Sequence, residues 1–281
     1  MIIAICGALL NIVLDVAFVY GIEGFIPAMN IEGAAYASVI AQMMMAIIAF
    51  ILLIKKTNIS LKISLPLHKE IPTLLNMIGN LFVRTIALNT ALYFATAFAT
   101  DYGKEYIAAY TIGLNLWLLG AFMIDGFSSA GNILSGKLLG AKDYKTLVDL
   151  SKKLTKYGFF MGVGIVAFSF LFYDSIGLFF TKDALVLKQF YNVFWIVILT
   201  QPISAITFIF DGMFKGMGEM KYLRNVLILS TGFVFIPTLF FFDWLDFKLV
   251  AIWISFTFWM LARGIPLIIK FRNKFIPLAN E

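Results

Sequence analysis

The chain has 281 residues, of which 61% are hydrophobic and only 14% are charged, with a mean hydropathy of +0.92. An ordinary soluble domain is roughly half apolar and a quarter charged, so a water-soluble core is excluded. The net charge of +6 does not point to nucleic acid, because the Lys and Arg residues lie in short stretches between apolar blocks rather than on one continuous basic face. A single cysteine, Cys6, rules out an internal disulfide, and a lone histidine, His68, rules out a multi-histidine metal cluster. The apolar residues run in long blocks without alternation, which disfavours a membrane β-barrel and leaves helices to satisfy the backbone in lipid. The fold class expected is therefore all-α, a polytopic transmembrane helical bundle.

A spanning helix needs about 20 mostly apolar residues. Eight such blocks follow in chain order, at 1–21, 33–54, 72–100, 105–134, 156–180, 189–214, 223–242 and 247–269. The start, Met1-Ile2-Ile3-Ala4-Ile5, has no basic leader and reads as a chain that begins partway through something. The breaks differ in charge in alternation. Lys55, Lys56, Lys62 and Lys69, then Lys137 to Lys156, then Lys215, Lys221 and Arg224, and last Lys270, Arg272 and Lys274 form one set; Lys104, Lys182, Lys188 and Lys248 form the other, which is rich in acids such as Glu23, Asp101, Asp174 and Asp183. The asymmetry, roughly four to one, predicts both termini in the cytoplasm of a cell (inner or plasma) membrane. Two basic stretches, 55–70 and 137–156, are amphipathic enough to be expected along the inner surface. His68 falls in the first and reads as a solvated loop residue.

Ionisable groups inside spans are the default functional candidates, because their burial in lipid is costly. Four stand out: Asp15, Arg84, Asp125 and Asp211. Counting residues from the cytoplasmic loops puts Arg84 and Asp125 at similar depth, which leaves two readings, a fixed ion pair locking two helices or a transport site. Asp211, four residues before Lys215, is expected to be shallow, interfacial or capping, although Asp125-Gly126 and Asp211-Gly212 share a local context. Asn11 lies one turn before Asp15, so the pair either shares a proton or hydrogen-bonds a neighbouring helix. Asn115 adds a polar face to the fourth span, suited to joining helices or to binding substrate. Pro202 and Pro237 are candidate kinks. There is no phosphate-binding loop, metal-ligand cluster or nucleophile elbow, so an ATP-driven pump, a metalloprotease or an enzyme in general is disfavoured; a membrane transferase would rest on His68 and Asp211 alone.

Several stretches resemble one family. Asn11-Ile12-Val13-Leu14-Asp15, Tyr20-Gly21 and Ile31-Glu32-Gly33-Ala34-Ala35 with Gln42 are similar to the fifth and sixth helices of multidrug and toxic compound extrusion (MATE) transporters. Leu81-Phe82-Val83-Arg84, Asp125-Gly126-Phe127-Ser128 followed by Gly136 to Asp143, and Asp211 to Asn225 resemble its DinF-related branch. The resemblance implies an exporter of two six-helix lobes, working by alternating access on cationic or amphipathic compounds in exchange for protons or sodium, with no other cofactor. Under it, residues 1–54 correspond to the last two helices of the first lobe, 55–71 to a cytoplasmic linker and 72–281 to a six-helix second lobe, with the first four helices lacking. The expected partners are then the bilayer, small organic substrates, and either the missing first lobe or a second copy of the chain. A flippase for lipid-linked precursors, of the same superfamily, is the alternative, as is a non-transporting fragment or accessory subunit. Asp15, Asn11, Arg84, Asn115, Asp125 and Asp211 are the candidate substrate- or ion-binding residues.

Overall fold

The computed structural model describes residues 2–21, 27–57 and 70–280. Among them every regular element is helical. The chain divides into two compact units, Met1–His68 and Lys69–Glu281. Most of the expected linker, with His68, lies outside the described residues.

The first unit is a pair of helices, α1 (Ile2–Val19) and α2 (Asn30–Lys56). Small residues set their contact. Gly33, Ala37 and Ala41 of α2 form its buried face, and a β-carbon at Gly33 would lie 2.5 Å from the carbonyl oxygen of Phe18. Lipid is as apolar as leucine, so close backbone approach through small residues is what brings membrane helices together. At 18 residues, α1 is about 27 Å long, just short of the roughly 30 Å hydrocarbon thickness.

The second unit begins with α3 (Ile71–Asp101), which turns at Gly103 into α4 (Lys104–Gly140). Gly103 has φ +122°, a conformation open to glycine. After α5 (Tyr144–Leu171) come the short α6 (Tyr173–Phe180), then α7 (Ala184–Leu199) and α8 (Gln201–Gly216). Residues 220–244 form one rod of α9 (Met220–Ser230), a π-helical turn (Thr231–Phe235) and α10 (Ile236–Trp244), and α11 (Leu249–Asn280) closes the chain.

Among the described residues, six helices are long and apolar enough to cross a bilayer: α2, α3, α4, α5, the rod Met220–Trp244, and α11. The block expected at 189–214 is instead a broken rod, α7 and α8 meeting at a bend of 49°, and counted together they make a seventh. Pro202, in the first turn of α8, sits just past the bend. Pro237 follows the π turn, where the missing proline N–H interrupts the regular ladder. The stretch 137–156, expected along the inner surface, is the end of α4 and the start of α5: α4 continues to Gly140 and α5 starts at Tyr144, capped by the Asp143 carboxylate accepting from Thr146 N at 3.0 Å. Leu147, Val148, Ser151 and Leu154 are buried on one face of this stretch, while Lys145, Lys152, Lys153 and Lys156 are exposed.

The closest crossing is α4 on α8. A β-carbon at Gly136 would fall 2.6 Å from the Gly216 carbonyl oxygen, and Gly212 and Gly216 lie directly on the backbone of Ser128 and Asn132. Two cores flank this crossing, one of aromatic residues such as Trp253, Phe256, Trp259 and Phe235, the other of Met213, Phe214, Phe271 and Leu147. Their cohesion is dispersion and ring packing, since burial from lipid carries little hydrophobic gain. The Gly216→Val change is expected to lower stability by about 1–3 kcal/mol, the usual range for overpacking. By contrast, no atom lies within 4 Å of where a β-carbon at Gly126 would stand, so Gly126→Ala in the interior of α4 should not destabilise and should gain about 0.5–1 kcal/mol. Thermal unfolding of the two purified variants in detergent checks the contrast.

Candidate functional site

On α3 the buried residues Asn80, Arg84, Ala91, Ala95 and Ala99 recur at helical spacing, so one face of the helix turns inward and carries Arg84 with it. On α8 every residue from Ile209 to Phe214 is buried, which encloses Asp211 in the bundle. On α11, Arg263 lies in the buried row with Trp259, Met260 and Leu267.

These three faces converge. Arg84 Nη2 donates to both Asp211 carboxylate oxygens at 2.7 Å. Lys215, one turn further along α8, places Nζ 2.9 Å from Oδ2, and Arg263 Nη2 stands 3.8 Å from Oδ1. Arg263 also lies over the Trp259 ring at 4.7 Å, a cation–π contact that offsets part of its desolvation. Three cations therefore share one carboxylate, and the Arg84 Nε is buried without a hydrogen-bond partner among the described residues. A cluster of this kind is costly to assemble in a low-dielectric interior and costlier to leave half made.

The expected pairing of Arg84 with Asp125 is corrected. Asp125 is exposed, because the buried stripe of α4 passes through Gly120, Ile124 and Ser128 and leaves Asp125 on the outward side. Asn115 is exposed on the same helix. Asp211 lies within α8 rather than at its end and is buried among the helices, 6% exposed. In the first unit Asn11 Nδ2 donates to Ser38 Oγ on α2 at 3.4 Å, the helix-joining reading, while one oxygen of Asp15 is buried with no partner among the described residues. Lys215 and Arg263 are the members that were not among the six candidate site residues. Their signals were present, Lys215 in its four-residue spacing from Asp211 and Arg263 as a cation inside an apolar run.

A second charged contact lies beyond the end of α8. Glu219 accepts from Lys270 Nζ at 2.9 Å and Lys274 Nζ at 2.7 Å. Partial burial opposes ionisation of its carboxyl, but the two ammonium groups outweigh it and hold the group below the usual glutamate range. Nearby, Arg224 on α9 donates to the Asn80 side chain of α3 at 2.6 Å. At the other end of these helices, the Tyr102 hydroxyl, after α3, bonds Asp243 of α10.

A model of the MatE family matches residues 81–241. The chain is 28% identical over 259 residues to Protein DETOXIFICATION 43 of Arabidopsis thaliana, covering 91% of this chain and 47% of that protein. It is 28% identical over 279 residues to DNA damage-inducible protein F of Escherichia coli K12, covering 95% and 57%. The chain thus spans about half the length of the curated relatives it matches. A solved structure described as the outward-facing conformation of a multidrug resistance MATE family transporter of the MOP superfamily superposes with a TM-score of 0.85 at 22% identity, over all of this chain and 63% of that one. At that identity the likeness speaks for the fold.

Two outcomes are expected of the charged groups. Asp211→Asn or Arg84→Gln leaves buried charge without its partner and should cost about 3–5 kcal/mol, whereas Asp125→Asn should stay within about 0.5 kcal/mol; unfolding in detergent reads both. Because the Glu219 carboxyl is depressed in the folded chain, its contribution is fully present above the unfolded value and is lost as pH falls through the folded one. Glu219→Gln should therefore lower the melting temperature at pH 7 and converge with the wild type in acid below the ordinary glutamate value of about 4.3, which a pH series of melting curves reads.

Proposed function

Since the chain belongs to the MatE family, we propose that it works in a secondary active exporter that moves amphipathic or cationic organic compounds outward in exchange for protons or sodium, by alternating access. In this reading it lies in the cell (inner or plasma) membrane with both termini cytoplasmic, as the lysine and arginine bias of its loops suggests. Residues 1–54 then act as first-lobe helices and 72–281 as the second lobe. Its partners are the bilayer, small organic substrates, and either further first-lobe helices or a second copy of the chain.

The observation that carries the reading is the sharing of one carboxylate by cations from three spans. Asp211 has a close bond to Arg84 on α3, another to Lys215 on its own helix, and Arg263 of α11 within 3.8 Å. A small shift of α3 against α8 can lengthen one contact while another shortens, so the carboxylate exchanges partners instead of losing them. An acceptor with several cationic donors is suited to two discrete helix arrangements of similar energy. The bend between α7 and α8, on the helix that carries Asp211, and the π turn before Pro237 are the positions where such a shift is accommodated. Asp15, Asn11, Asn115 and Asp125 remain in the proposal as residues that contact substrate or ion at other stages of the cycle.

One observation favours a second reading. Three cations against one carboxylate leave the cluster with excess positive charge, which suits an anionic head group and hence a flippase for lipid-linked precursors. Ethidium efflux separates the two. In cells lacking their own exporters, with the chain expressed alone and with its upstream genomic sequence restored, at least one form is expected to export the dye. Asp211→Asn that still reaches the membrane is expected to slow export about tenfold, equivalent to about 1.4 kcal/mol of barrier, and to change its pH dependence. Absence of cationic-dye export from both membrane-inserted forms contradicts the exporter reading.

A further inference from the structure

Within the second unit, apart from the Asp211 cluster, a crevice of about 660 Å³ opens between α4, α5, α6 and α7. That volume falls in the range of small-molecule sites, roughly 300–1,000 Å³. No ionisable side chain lines it; the walls are aliphatic and aromatic, and Leu119, Phe168 and Phe179 along them are exposed. The polar lining consists of Ser169 and Gln201.

Gln201 is the unusual member. It is the first residue of α8, immediately past the bend, and is 2% exposed. Its carboxamide oxygen is buried with no hydrogen-bond partner among the described residues. A buried amide oxygen left unmade is destabilising, and folded proteins rarely keep one without a use for it. Gly120 on α4 leaves room for this group, since a β-carbon there would lie 2.5 Å from the Gln201 carboxamide oxygen. A water molecule needs two to four polar partners to be held, which this apolar lining supplies poorly. A molecule with one polar tip and a long apolar body matches both features. On α5, Gly164 also lines the crevice, and no atom lies within 4 Å of where its β-carbon would stand, so the space beside it is open.

We propose that this crevice binds uncharged, membrane-soluble alkyl compounds that end in a single hydroxyl, with the hydroxyl on the Gln201 carboxamide and the chain along the α4 and α5 walls. The site is independent of the export reading, because binding here requires no turnover and none of the charged cluster. The probe is dodecanol carrying a photoactivatable diazirine on its chain, added to the protein in lipid nanodiscs and mapped after illumination by peptide mass spectrometry; the matched diazirine alkane without the hydroxyl is the comparison. Saturable labelling is expected within 116–123 and 161–180, stronger for the alcohol than for the alkane. Gly164→Trp should abolish it by filling the open space. Gln201→Leu should raise the half-saturating alcohol concentration about tenfold, the effect of one buried hydrogen bond lost, and leave the alkane unchanged. Equal labelling by alcohol and alkane, insensitivity to Gly164→Trp, or labels scattered over the outer faces of the helices would overturn the proposal. If Gln201→Leu does not fold, the alcohol and alkane comparison on the wild type still decides the role of the hydroxyl.

Discussion

The second unit is organised around a carboxylate placed where it has to be compensated. An ionised aspartate enclosed by apolar spans is tolerated only with cations and hydrogen bonds supplied by its neighbours, and Asp211 draws them from α3, α8 and α11 at once. That requirement fixes which face of α3 turns inward, since Arg84 belongs to the same row as Asn80, Ala91 and Ala95. It also fixes the rotation of α8, whose next residue, Gly212, then lies on the backbone of Ser128 in α4. Glycine at Gly212 and Gly216 is in this sense a consequence of seating Asp211, because any side chain there would push α8 away from α4.

The charges beyond the cluster extend the same logic toward the ends of the helices. Arg224 ties α9 to Asn80 of α3, Glu219 ties the turn after α8 to Lys270 and Lys274 of α11, and Tyr102 meets Asp243 at the far end of α3 and α10. Between these ties the backbone departs from regular α-helix at a bend and at a π turn. At the bend the threonine hydroxyls of Thr200 and Thr257 meet at 2.9 Å; at the π turn the Trp259 indole N–H donates to Thr231. The Thr200 hydroxyl also lies 2.7 Å from the Ile196 carbonyl oxygen, an acceptor one turn before the bend.

Much of this was legible in the residues because lipid imposes a length and a composition on every span. Each apolar block falls on helix, the fifth divided into α5 and α6, the sixth realised as the bent pair α7 and α8, and the seventh as α9, the π turn and α10. Arg84 and Asp211 were both recognisable as ionisable groups within apolar spans, Asp211 as a shallow one. Their pairing was not, because residue counting gives height along a helix and says nothing of azimuth. Asp125 sits at a suitable height, yet its neighbour Ile124 is the buried one, and a rotation of one residue moves a side chain about 100° around the axis. The row Gly113, Trp117, Gly120, Ile124, Ser128 and Gly131 carries that azimuth in its spacing of three and four residues, a signal that is easily lost where apolar residues cover all sides. The bend at Thr200 had a sequence mark in Pro202, whereas the orphaned oxygen of Gln201 had none, since it depends on how two helices approach.

The central claim is that Arg84 and Asp211 act as one energetic unit, and a double-mutant cycle tests it most directly. Unfolding free energies of the wild type, Arg84→Gln, Asp211→Asn and the double variant would be compared in the same detergent. The account predicts a coupling energy of about 1–3 kcal/mol, the double variant being far less destabilised than the sum of the two single changes. Additivity within about 0.3–0.5 kcal/mol would contradict it.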